Sequence, residues 1–115
     1  MKDTISNQTR KMMLSQLVKN RISELLEITF DTNSRRTEQI YARLIFIKYF
    51  TDLKFTTTRI GEMINKNHST ITYNQRQFKR DYETSKYFRD IYDEFMRVPI
   101  YETINNQSND LQSIF

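Results

Sequence analysis

The sequence contains few of the residues on which turns between β-strands depend. It has one glycine, one proline and no cysteine in 115 residues, whereas average usage would give roughly 7% glycine and 5% proline. Hairpin turns need glycine where the backbone φ is positive. Because so little of this turn chemistry is present, we predict an all-α fold, a compact bundle of about five helices.

The same scarcity excludes most kinds of active site. A phosphate-binding P-loop needs two glycines in one motif and a dinucleotide fingerprint needs three, but Gly61 is the only glycine. The lack of cysteine excludes disulfides, thiol nucleophiles and thiolate zinc sites, and the single histidine, His68, cannot form a histidine-rich metal site. No residue pair has nucleophile–base spacing within a supporting motif. We therefore predict no enzymatic activity, no cofactor and no metal.

Long apolar runs are also lacking. A membrane-spanning helix needs about eighteen or more consecutive apolar residues, and no run of that length occurs. The first residues, 1–11, lack the apolar core of a signal peptide. We expect the protein to stay in the compartment where it is made, which would be the cytoplasm.

Positive charge is concentrated in the middle of the chain. The chain has 37% hydrophobic and 28% charged residues, values typical of a folded domain, and a net charge of +4. Residues 35–89 contain twelve basic and five acidic side chains, a net charge of +7, so the remainder carries −3. This asymmetry favours a polyanionic partner, but by itself it is equally compatible with a solvated lysine-rich surface.

Apolar residues recur at three- and four-residue spacing, which is typical of amphipathic helices. The second helix is apolar on most sides and should be central in the core. The aromatic residues of the last helix follow the same spacing, so we assign them, with Met96, to the core. The predicted helices span residues 9–29, 37–51, 58–64, 68–84 and 86–98.

The domain organisation follows from these helices. Pro99 should stop the last helix, and the residues beyond it are rich in Asn, Gln and Ser. We predict a single helical DNA-binding domain over residues 1–99, with a helix-turn-helix core at 35–89. Residues 100–115 should form a polar C-terminal tail.

The third and fourth predicted helices are separated by a short polar turn. Thr56, Thr57 and Thr58 offer N-caps for the third helix, Asn65 tolerates the left-handed conformation that ends a helix, and Asn67 is a suitable N-cap for the fourth. A short helix, a three-residue turn and a longer basic helix follow the helix-turn-helix plan. Many helix pairs share this plan without touching DNA.

The segment from Ala42 to Ile71 resembles the C-terminal DNA-binding domain of the bacterial replication initiator DnaA. Ile60-Gly61 stands where that family has Ile-Gly, and Asn67-His68-Ser69-Thr70-Ile71 stands where the family has Asp-His-Thr-Thr-Val. The resemblance extends over about residues 35–89, roughly half of the chain. It implies sequence-specific binding to double-stranded DNA, in transcription regulation or replication control.

The resemblance also implies roles for individual residues. His68, Ser69 and Thr70 would contact bases or adjoining phosphates in the major groove, and Asn67 replaces an aspartate that accepts from a base edge in the family. Arg43 would hold a phosphate at the start of its helix.

Other predicted contacts are to the DNA backbone or the minor groove. Thr57 and Thr58 would present a helix N-terminus to the backbone, and Arg35, or Arg36 instead, would reach into the minor groove. The full set of predicted DNA contacts is Arg35, Arg36, Arg43, Lys54, Thr57, Thr58, Lys66, Asn67, His68, Ser69, Thr70, Tyr73 and Arg76.

The sequence departs from the family in three places. The turn is one residue shorter, Asn67 is neutral where the family has an acid, and Leu44 follows Arg43 where glutamine is usual. There is no ATPase domain, so we expect a stand-alone protein of phage or mobile-element type, acting in a bacterial cell or phage-infected host, and not the initiator itself.

Two other functions stay open. A degenerate helix-turn-helix could instead bind a replication or transcription factor, and the chain could form a homodimer or hold a protein partner through helix 9–29 or the C-terminal helix. Binding to single-stranded nucleic acid would need exposed aromatic residues beside basic ones, and Tyr73 is the only clear candidate.

Overall fold

The computed structural model describes residues 7–100, apart from the side chains of residues 7–9 and 11. Five α-helices and no β-strand occur in this range, which confirms the predicted all-α fold. Residues 101–115 of the predicted tail lie outside the described residues. The helices are α1 Asn7–Leu26, α2 Thr37–Asp52, α3 Thr57–Ile64, α4 His68–Thr84 and α5 Lys86–Met96.

The central position predicted for α2 is confirmed. It packs against α1, α3 and α4, and α5 closes the bundle against α1 and α4. Most of the apolar side chains of α2 are buried, so this helix forms the middle of the core. They are Ala42, Leu44, Ile45, Phe46, Ile47 and Phe50.

Aromatic contacts join α5 to α4. Phe78 of α4 lies with its ring centroid 5.2 Å from that of Phe88 and 4.8 Å from that of Tyr92. Phe88 and Phe95 are buried, which confirms the predicted core stripe, but the prediction that Met96 points inward is wrong because its side chain is 42% exposed. Ile100 was assigned to the tail, yet it is buried against the core.

Five helix boundaries differ from the sequence prediction. The first helix begins at Asn7 instead of residue 9, and the second ends at Asp52 instead of residue 51. The first helix ends at Leu26 instead of residue 29, because Glu27 adopts a left-handed conformation with φ of 56°. The last ends at Met96 instead of residue 98. The third begins at Thr57, with the Thr56 side chain accepting from the backbone N–H of Arg59 at 3.1 Å.

Within the described residues, no helix is long and apolar enough to cross a membrane. Among the same residues, no three potential metal-ligating side chains form a cluster.

Candidate nucleic-acid interface

The turn between α3 and α4 is packed tightly against Gly61. A Cβ added to Gly61 would lie 2.2 Å from the carbonyl oxygen of Lys66, far closer than any real contact. Asn65 has φ of 58° and ψ of 49°, the left-handed helix end that the sequence predicts. The backbone N–H of Lys66 then donates to the Gly61 carbonyl at 2.8 Å. Gly61 is therefore a packing glycine, and the group that it accommodates is the backbone of the turn.

The first residues of α4 are open to solvent. Asn67 caps the helix, since its Oδ1 accepts from the backbone N–H of Thr70 at 2.9 Å. The side chains of His68 and Ser69 are exposed, whereas Thr70 is half-buried. The start of α4 thus presents two polar side chains to solvent.

One face of α4 continues this open surface. Ser69, Tyr73, Arg76 and Arg80 are all exposed, and their spacing of four, three and four residues places them along one line of a helix. Tyr73 is 52% exposed, so its ring is open to solvent on this face. This outer face combines two arginines with an aromatic side chain.

The loop between α1 and α2 is held in place by Gln39, the one buried polar side chain among the described residues. Its Oε1 accepts from the backbone N–H of Asp31 at 2.8 Å, and its Nε2 donates to the Thr29 carbonyl at 2.6 Å. Within the loop, the Asp31 carboxylate accepts from the N–H of Asn33 at 2.8 Å. These bonds fix the loop that carries Arg35.

Arg43 is anchored to the same loop. Its Nη1 donates to the Asp31 carbonyl at 3.0 Å. Partial burial lowers the pKa of the guanidinium, and the nearby Asp31 carboxylate raises it in opposition. The resemblance implied a position for Arg43 at the start of its helix; this is wrong, because α2 begins at Thr37, as its apolar pattern predicts. A guanidinium has five N–H donors, and the Asp31 carbonyl engages only part of this set.

A groove of about 550 Å³ runs between the α1–α2 loop, α2 and α4. We call it the basic groove, because three cations and no acidic residue line it. Lys66 is held there by a hydrogen bond, which its Nζ donates to the Asn33 Oδ1 at 3.3 Å. Five of the predicted contact residues meet at this groove: Arg35, Arg43, Lys66, Thr70 and Tyr73.

Four residues of this site are not among the predicted contacts. Gln39 and Asn33 support it, and Asn74 and Gln77 line the basic groove. A signal existed for two of them, because Asn74 and Gln77 follow Thr70 at spacings of four and seven residues. A glutamine in an otherwise apolar helix was the available signal for Gln39.

The other predicted contacts lie outside the basic groove. Thr58 lines a separate groove with Met12 and Arg59, between α1 and α3. Lys54 is exposed in the α2–α3 connection with φ of 71°. Thr57 is half-buried as the first residue of α3, and Arg36 is exposed at the residue before α2.

Comparison with protein-family models, with curated proteins and with solved structures gives no match. The interpretation of this surface therefore depends on its own geometry and on the residues between positions 35 and 89.

Proposed function

We propose that the chain binds double-stranded DNA in a sequence-specific manner, with α3 and α4 acting as a helix-turn-helix, in transcription regulation or replication control. The observation that supports this most strongly is the position of the basic groove directly beside the open start of α4. The cations of the basic groove suit phosphates and the start of α4 suits base edges. A protein that reads a DNA sequence needs both kinds of contact.

The basic groove suits the DNA backbone. Arg35, Arg43 and Lys66 reach it from a loop, a helix and a turn, so the cations are held at separate fixed points. Neutralising phosphates releases counterions and supplies affinity for any DNA sequence. Contacts from several segments also set the orientation of the protein on the duplex.

The start of α4 suits the base edges. A helix fits into the major groove, where each base pair presents a distinct pattern of donors and acceptors. His68 and Ser69 are polar and exposed. They lie at the N-terminal end of α4, which is the end that would enter the major groove first. Thr72 is less suited to this role, because its hydroxyl already donates to the His68 carbonyl at 3.0 Å.

Selection from a pool of random double-stranded DNA tests the proposal. We expect the purified full chain to enrich a short motif. The double variant His68→Ala/Ser69→Ala should keep its fold and lose at least about tenfold in affinity for that motif, since each lost base contact costs about 1–3 kcal/mol.

A matched control is available on α5. Lys86 and Tyr87 are also the first two residues of a helix, follow the side-chain cap Ser85 and are exposed. Lys86→Ala/Tyr87→Ala removes a positive charge, which the His68→Ala/Ser69→Ala variant does not. If binding were only electrostatic, the control variant would be the weaker binder, and that result would contradict sequence reading by α4. Absence of binding even at low salt would overturn the proposal and favour a protein partner.

A further inference from the structure

Asn67 is the most firmly positioned polar side chain at the start of α4. Its Oδ1 accepts from the N–H of Thr70 at 2.9 Å, and its backbone carbonyl accepts from the N–H of Ile71 at 3.2 Å. The turn that carries it is pressed against Gly61. Despite these bonds, Asn67 is exposed, so it presents a fixed group to whatever lies against the end of the helix.

The capping bond determines which group Asn67 presents. A side-chain amide has one oxygen that accepts and one NH₂ that donates. Because the Thr70 N–H is a donor, only the oxygen can face it, and the Nδ2 group is turned away from the helix end. The outward atom of this exposed side chain is therefore a hydrogen-bond donor.

We infer that Asn67 selects a base that presents an acceptor in the major groove, and so rejects cytosine, through its Nδ2 donor. This inference rests on the proposed function. Guanine N7 and O6, thymine O4 and adenine N7 are acceptors, whereas cytosine presents only the N4 donor. At cytosine an outward NH₂ would meet only another NH₂.

Two substitutions separate this role from capping. Aspartate and serine cap helices about as well as asparagine, so Asn67→Asp and Asn67→Ser should both keep the fold. In Asn67→Asp the outward atom becomes an acceptor, which suits cytosine or adenine. In Asn67→Ser the side chain can cap but is too short to present a second group to a base.

The test is a selection from random double-stranded DNA with the wild type and both variants of the full chain. We expect the base preferred at one motif position to differ between the wild type and Asn67→Asp, which should gain the cytosine that the wild type excludes on the contacted strand. Asn67→Ser should show no preference there. The rest of the motif should be unchanged. At that position the wild type should bind the wrong base about tenfold more weakly.

The outcomes distinguish the two proposals. If both variants select the wild-type motif, Asn67 is only a cap and the inference fails while DNA binding stands. If Asn67→Asp binds no DNA because of its added negative charge, the neutral Asn67→Ser decides. If the wild type enriches no motif, the proposed function itself fails.

Discussion

Gly61→Ala gives the sharpest test of how the α3–α4 turn is built, because two physical effects predict opposite signs. Alanine is favoured over glycine inside a helix by about 1 kcal/mol, so an unobstructed position would become more stable. At Gly61, however, the new methyl group would lie 2.2 Å from the Lys66 carbonyl oxygen, and ordinary contact begins at 3.4 Å. The obstacle is backbone, which cannot rotate away as the end of a side chain could.

The magnitude follows from what must move. The turn has to retreat by about 1.2 Å to restore ordinary contact, which disturbs the Lys66–Gly61 hydrogen bond and the Asn67 cap. Overpacking of this kind costs about 1–3 kcal/mol, and a weakened cap adds about 1 kcal/mol. After the gain in helix propensity, we expect the free energy of unfolding to fall by about 2 kcal/mol.

Urea denaturation followed by circular dichroism measures this change, and a thermal scan should show Tm lowered by about 8 °C. The exposed neighbour in the same helix supplies the control, since Glu62→Ala should change stability by less than about 0.5 kcal/mol. A Gly61→Ala variant as stable as the wild type, or more stable, would refute the close approach of the turn.

Two further predictions concern the loop support and the aromatic contacts of α5. Gln39→Ala removes the partners of the Asp31 N–H and the Thr29 carbonyl, so we expect a loss of about 1–3 kcal/mol and faster hydrogen exchange in the α1–α2 loop; unchanged exchange there would contradict the supporting role. Burial, with help from nearby Asp52, Tyr82 and Asp93, raises the pKa of Tyr92 from 10.0 to about 12. Because the folded pKa lies above the unfolded one, this contribution to stability is complete below about pH 10 and is lost as pH rises toward about 12. The Tm of the wild type should therefore fall as the pH rises toward about 12, and the Tm of Tyr92→Phe should fall less steeply. An identical decline in both proteins would contradict this prediction.

The helix boundaries that the sequence predicts correctly are those fixed by local chemistry. Asn65 and Asn67 each act on atoms within four residues of themselves, so their residue types are sufficient to place the caps. The end of α1 could not be placed in this way. Glu27 has φ of 56°, although glutamate has no special preference for the left-handed conformation.

Sequence patterns could not predict the basic groove, for a different reason. Arg35, Arg43 and Lys66 are distant along the chain and meet only because the loop folds back over α2 toward the turn. The contact between Arg43 and the Asp31 carbonyl spans twelve positions and has no periodic signal. The resemblance to the initiator's domain names Arg35 and Arg43 individually, Lys66 is one of the other predicted contacts, and the fold brings all three to one groove.

The most direct test of the central claim is an NMR titration of the isotope-labelled full chain with the duplex that it selects, or with a random-sequence duplex. If the basic groove and the start of α4 contact DNA, the amide signals that shift should belong to residues 33–36 and 66–76, and the shifts should weaken as salt is raised. If no signal shifts at low salt, or if the shifts are confined to α1 and α5, this surface does not bind DNA and the account is contradicted.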